Sequence, residues 1–328
     1  MDYYQDIMTL PIQELSGRYP VCRDFLRSYD LDAADPGQTL TEAIEKAGSS
    51  TVKEMGLTGM DLVDLLCDLL ESVEQTESAQ ITELEILGGT DKDGSPERVD
   101  FQIHAGDVVS IVGPTGAGKS QLLADIECAA RGDTPTKRTV LFDGKPLEDE
   151  QRFSLGNRLV AQLTQNMNFI VDVSVKDFLT LHAHSRSLQS YEKTIEQCFE
   201  TANALSGEAF AMDTKITRLS GGQSRAVMIA DAACISPSPI LLIDEIENAG
   251  IDRIKAVELL TGGKKIVLLA THNPLLALSV SKRVVLHNGG IRAVLKTNDQ
   301  ERESLERLIE ADRLNTRLRD IIRAGERI

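Results

Sequence analysis

Apolar positions in the first part of the chain recur every three or four residues. Leu40, Ile44 and Ala47 share one helical face, and Leu62, Leu65, Leu66, Leu69 and Leu70 share another. Pro36-Gly37 and Gly56 break the pattern, and Thr39 stands where an N-cap would open a helix at Leu40. This predicts a small all-helical domain over residues 1–79 that ends in a polar linker, Glu74 to Ser78. From about Gln80 the period changes. Short runs of branched aliphatic residues, Val108 to Val112, Ile240 to Ile243 and Ile266 to Ala270, alternate with helical patterns. Such runs suit strands buried on both faces of a mostly parallel sheet, so residues 80–296 read as an α/β domain. Beyond Thr297 the chain is charged and helical again. Asn298 and Glu301 have the spacing of a capping-box variant, and Ala311, Leu314, Leu318, Ile321 and Ile328 form a heptad-like stripe broken by Gly325. The stripe is too short for a coiled coil, so 297–328 is expected to be an amphipathic helix packed on the domain or on a partner helix.

Length and composition narrow the function. A prior of ~150 residues per domain gives 328 residues room for about two domains. With 41% hydrophobic and 26% charged residues the chain is ordinary globular material rather than disordered. Lys and Arg number 35 against 51 Asp and Glu, a net charge of −16, and consecutive basic residues come only in pairs such as Lys137-Arg138. That field repels nucleic acid and anionic lipid, and 4% aromatics with no Trp offers little to stack bases on. No stretch reaches the ~18 apolar residues of a membrane span, and the acidic start lacks a signal core. Cys22, Cys67, Cys128, Cys198 and Cys234 contain no Cys-x-x-Cys pair and read as reduced, core-filling thiols. The expected setting is cytoplasmic, with membrane association only through a partner.

The chemistry begins at Gly113-Pro114-Thr115-Gly116-Ala117-Gly118-Lys119-Ser120, which fits G-x-x-x-x-G-K-S. A strand leads in and a helix-prone run starting at Gln121 follows, the context that gives this motif meaning. Glycines let backbone N–H groups close around phosphates, and the helix start near Lys119 adds its positive dipole end. Lys119 is expected to neutralise β- and γ-phosphates, and Ser120 to ligate Mg²⁺. Ile240 to Glu245 supplies the second half: a buried strand delivers Asp244 towards Mg²⁺ and places Glu245 to polarise the attacking water.

Leu219-Ser220-Gly221-Gly222-Gln223 then decides the class. Here the chain resembles the ATP-binding cassette (ABC) ATPases, with these residues as the signature motif, over about Gln80 to Lys296. The resemblance identifies Gln165 as the Q-loop glutamine, with Gln162 the competing choice, Asp252 as the D-loop aspartate and His272, after Thr271, as the switch histidine. It implies ATP and Mg²⁺ as ligands, with Gln165 linking the metal to a helical subdomain at about 166–233. It also implies two copies facing head to tail, each nucleotide held by one phosphate loop and by the other copy's Ser220, Gly221 and Gly222. Two departures stand out. Ile246 to Ile251 replaces the Pro-Thr-Ser-Ala-Leu-like residues of transport cassettes, and Leu87-Gly88-Gly89-Thr90 replaces the aromatic that stacks on adenine, which weakens base selectivity. From Arg18 to Ala43 the chain resembles, more loosely, a small helical domain of iron–sulfur repair and hybrid-cluster proteins. Leu31-Asp32-Ala33-Ala34 fills the place of that family's cysteines, which implies a docking role rather than a metal site.

These features lead to an ATP hydrolase acting on a soluble protein or metalloenzyme client. The alternative is the ATP-binding subunit of an ABC transporter, docked on separate permease subunits. A DNA-repair type of ABC ATPase is disfavoured by the acidic charge and by the lack of a long coiled-coil insertion.

Overall fold

The structure, a computed structural model, describes residues 3–327 except 20, 30, 32–33, 48–57, 79–80, 98, 155–158, 165–168, 170, 186–190, 245–250 and 262. The chain divides into two compact units, one made of Met1–Ala79 with Lys176–Glu196 and the other of Gln80–Val175 with Gln197–Ile328.

The first unit opens with helices α1 (Tyr3–Thr9), α2 (Ile12–Arg18), α3 (Val21–Ser28), α4 (Leu40–Ala47) and α5 (Gly59–Ser78). Thr39 does cap α4: its hydroxyl accepts the Glu42 amide at 3.4 Å and Glu42 returns to the Thr39 amide at 3.0 Å. Tyr3, Ile7, Leu15, Phe25, Leu31, Leu40 and Ala43 close a core with Leu62, Val63, Leu66 and Leu70 of α5. The expected α5 stripe is thus narrower than its leucines, since Leu65 is 40% exposed. A linker at Glu74 to Ser78 does not form. The helix runs on through Ser78, because Glu, Gln and Ser after an apolar start carry adequate helix propensity.

In the second unit, β1 (Glu83–Leu87), β2 (Phe101–His104) and β4 (Thr139–Phe142) form an antiparallel sheet in the order β2-β1-β4. The larger sheet contains β3 (Val108–Val112), β5 (Val160–Leu163), β6 (Ile240–Asp244), β7 (Ile266–Ala270), β8 (Lys282–His287) and β9 (Gly290–Lys296), ordered β5-β6-β7-β3-β8-β9. All its neighbours are parallel except the β8–β9 hairpin. That hairpin turns at Asn288-Gly289, whose φ values of 50° and 90° suit a type I′ turn. The three apolar runs read from the sequence are the interior strands β3, β6 and β7, buried along nearly their whole length. Parallel pairing needs crossovers. They are supplied by α6 (Lys119–Glu127), α7 (Asp149–Ser154), α10 (Gly221–Cys234), α11 (Arg253–Thr261) and α12 (Pro274–Ser279), and the connection from β5 to β6 also runs through α8 (Val175–Ser185), nearly all of it in the first unit, and α9 (Tyr191–Leu205), whose first residues belong to that unit.

The chain then enters α13 (Asp299–Arg323) through the expected box, with Asn298 and Glu301 exchanging two bonds of 2.9 Å. It leaves through Gly325 at φ +75°, where the Gly325 and Glu326 amides bond back to Ile322 and Ile321. The heptad-like stripe is not the packing face. Leu305, Leu308 and Ile309 meet the core, whereas Leu314 is 57% exposed. A 3.6-residue helix drifts off a 3.5-residue stripe, and the anchoring residues lie nearer the cap.

Candidate active site

In an open α/β sheet, ligands meet the carboxyl ends of the strands. β6, β7 and β3 are adjacent and level there, with Asp244 opposite Ala270 and Ala270 opposite Ile111. The loop after β3, the acid closing β6 and the Thr271-His272 pair after β7 therefore converge, although they are far apart in sequence.

The loop Gly113–Ser120 is shaped by contacts that only glycine permits. A Cβ on Gly113 would lie 2.6 Å from the Leu286 carbonyl oxygen, and one on Gly118 would lie 3.0 Å from Gly289 while sitting at φ +97°. Pro114, Thr115 and Gly116 are exposed, and Ala117 is buried with its amide on the Pro114 carbonyl. Gly118 is the N-cap of α6 and offers no side chain, so the first-turn amides of that helix remain for a ligand. Lys119 Nζ donates to Gly113 O at 3.2 Å and lies 2.8 Å from His272 Nε2. Ser120 Oγ donates to Asp244 Oδ2 at 3.1 Å. A hydroxyl and a carboxylate so close form an oxygen pair suited to a hard divalent cation, and the glycine cradle with uncapped amides suits a phosphate chain. ATP and Mg²⁺ fit these residues. A groove of about 340 Å³ beside the loop is lined by Gly113, Thr271, His272 and Pro274. Thr271 itself is buried and turns its hydroxyl to the Asn273 amide at 3.0 Å.

Other expected site residues have different partners. Gln121 gives its amide to Asp125 at 3.1 Å. Gln162, on β5, turns its amide nitrogen to the Glu127 carboxylate. Ser220 and Gln223 form a capping box at the start of α10: Ser220 Oγ accepts the Gln223 amide at 3.3 Å, and Gln223 Oε1 accepts the Ser220 amide at 2.9 Å. Gln223 also donates to the Glu208 carbonyl at 3.3 Å. The Ser-x-x-Gln spacing signals that box in the sequence. Gly221 faces open space, and Gly222 follows it in the first turn. Asp252 caps α11 by accepting the Lys255 amide at 3.1 Å. Gln165 and Glu245 lie outside the described residues.

Sequence reasoning missed what anchors this loop from behind. Arg138 is fully buried and pairs with Asp125 at 2.9 Å and with Glu97, both buried as well. It also donates to Gly289 O at 2.7 Å, while Gly289 donates to Ala117 O at 2.9 Å. One guanidinium thus joins α6, the β1–β2 segment and the β8–β9 turn.

The ABC transporter family profile matches residues 96–248. The uncharacterized ABC transporter ATP-binding protein MJ0121 of Methanocaldococcus jannaschii is 48% identical over 250 residues, 76% of this chain and 95% of that protein. The chain belongs to the ABC transporter ATP-binding protein family. It is an ABC ATPase, a family that binds and hydrolyses ATP. The thiamine import ATP-binding protein ThiQ of Vibrio vulnificus is 31% identical over 183 residues, 53% of this chain and 73% of that protein. Among solved structures, the cassette MJ0796 in a dimeric post-hydrolysis state bound to ADP and Pi aligns with a TM-score of 0.52. It is 25% identical, over 66% of this chain and 99% of that one. The P-loop α/β fold read from the sequence is that of these ABC cassettes. The profile match leaves α1 to α5 outside it. Among the described residues no helix is long and apolar enough to cross a membrane.

Proposed function

We propose that this chain is the ATP-binding subunit of an ABC transporter. In this reading it works as a head-to-tail homodimer that hydrolyses Mg-ATP and drives separate membrane permease subunits. The observation that carries this is the division of the site. Lys119, Ser120, Asp244 and His272 are joined by hydrogen bonds within one chain, whereas the Ser220-Gly221 helix start is exposed and bonded to itself and to Glu208. First-turn amides without intrahelical partners need an acceptor, and a second copy's nucleotide supplies one.

Each residue then has a task. Lys119 leaves His272 to neutralise the β- and γ-phosphates, and the loop wraps the chain of phosphates with the amides of Thr115, Gly116 and Gly118, since Pro114 has no N–H and the Ala117 amide bonds to the Pro114 carbonyl. Ser120, Asp244 and Gln165 would hold Mg²⁺, a cation that would neutralise the developing phosphate charge. Glu245 takes a proton from the attacking water, and His272 fixes the γ-phosphate. Ser220, Gly221 and Gly222 close the cage from the partner copy, and Asp252, which caps α11, is assigned to the seam between copies.

The relatives above are named as transporter components, and this favours a permease over the soluble client that the sequence departures suggested. Residues of Met1–Ala79 close a hydrophobic core of their own. We assign that unit a docking role, in keeping with its looser resemblance over Arg18 to Ala43. The test is a pull-down with Glu245→Gln in the presence of ATP. The expected result is a nucleotide-held dimer with hydrolysis nearly abolished and an integral-membrane protein recovered. Recovery of a soluble protein alone overturns the transporter reading, and hydrolysis at the parent rate removes Glu245 as the base.

A further inference from the structure

By the resemblance to ABC ATPases, the segment after β1 stands where those proteins carry the aromatic that stacks on the base, and residues 88–97 contain no aromatic at all. Its backbone shape explains why. Gly88 and Gly89 take φ values of +59° and +130°, and a Cβ on Gly89 would lie 2.8 Å from both Arg138 and Glu97. The segment is tied down along its length. Asp91 Oδ1 accepts the Asp93 and Ser95 amides at 2.9 and 2.8 Å. The Lys92 amide donates to Asn288 O at 2.9 Å, and Asn288 Nδ2 donates to Asp93 Oδ2 at 2.7 Å. Glu97 is held in the buried pair with Arg138. Out of this fixed turn the Lys92 side chain reaches across to the phosphate loop, where Nζ donates to Gly116 O at 2.7 Å.

The two acids flanking Lys92 are occupied by turn amides and by Asn288, so the ammonium is directed to the loop rather than to them. An ammonium has three donors, and Gly116 takes one. Gly116 lies on the glycine-rich loop, and in loops of this type the backbone amides cradle the α- and β-phosphates. Lys119, Ser120, Asp244 and His272 mark the γ end.

We infer that Lys92 is a second phosphate-binding lysine, contacting the α- and β-phosphates, so that the site recognises nucleoside di- and triphosphates by their polyphosphate and not by their base. The inference rests on the nucleotide-site reading above and deepens it. Calorimetry on the full chain tests it, using imido analogues of ATP and GTP together with ADP. The parent should bind the two analogues within about threefold of each other, and Lys92→Gln should weaken all three ligands by about tenfold while preserving their ratios. Lys92→Arg, which keeps the charge, should stay within about threefold of the parent. Parent-like affinity in Lys92→Gln overturns the inference, as does a loss for the triphosphates that spares ADP. So does an equal loss in Lys92→Arg, which would make Lys92 a clamp on the turn, or a strong preference of the parent for ATP over GTP. If the parent binds none of the ligands, the nucleotide-site reading itself fails. Binding by the parent without any effect of Lys92→Gln removes only this inference.

Discussion

Lys119 is held between Gly113 O and His272 Nε2, so its cation is aimed along the loop by fixed neighbours. Lys119→Ala removes a charged donor, and ATP binding measured by titration should weaken about ten- to a hundredfold. Arg138→Met would leave Asp125 and Glu97 buried without their shared cation. Its thermal melt should show a loss of about 3–5 kcal/mol. Cys234 offers a pH test. A hydrogen bond from Cys198 outweighs burial and brings its thiol down from 9.0 to about 7. Because the thiolate is the reactive form, iodoacetamide labelling of Cys234 should rise with pH through about 7, and Cys198→Ala should move that midpoint upward. Cys22, pushed up to about 12 by burial, should stay unlabelled over the same range. The loop, Asp244 and His272 were legible in the sequence because a contiguous motif and two strand ends announce them. Arg138 and Lys92 were not, since Gly289, one partner of Arg138, lies 151 residues away, the Lys92 partner Asn288 lies further still, and none of these contacts obeys a period.

Among the elements, β3, β6, β7 and the caps at Thr39 and Asn298 could be read directly, because a run of branched residues or a three-residue spacing is local information. The amphipathic faces were harder. In α13 every apolar residue of the proposed stripe looks alike on paper, yet only contact with the sheet core decides which are buried. Leu308→Ala should therefore cost about 1–2 kcal/mol in a denaturation curve, while Leu314→Ala, at 57% exposure, should stay within about 0.5 kcal/mol. The same limit let Leu65 pass for a core residue and let polar Glu74 to Ser78 pass for a linker, since propensity and packing both act beyond the hydrophobic pattern.

For the whole molecule, the division between the loop cluster and the Ser220 helix start predicts complementation. Lys119→Ala and Ser220→Arg chains should each be nearly inactive alone. Mixed, they should form pairs with one intact composite site and recover part of the parent ATPase rate, whereas two separate single-chain sites would give no recovery. The buried guanidinium of Arg138 has a consequence of another kind. Because it fastens the amides of Gly289 and Ile291, through Ala117 and Glu97, into one knot with α6, those amide protons are shielded by a common opening event. In heavy water they should lose protection together, late and at one rate, so that the floor of the phosphate loop behaves as a single cooperative unit rather than a set of independently breathing turns.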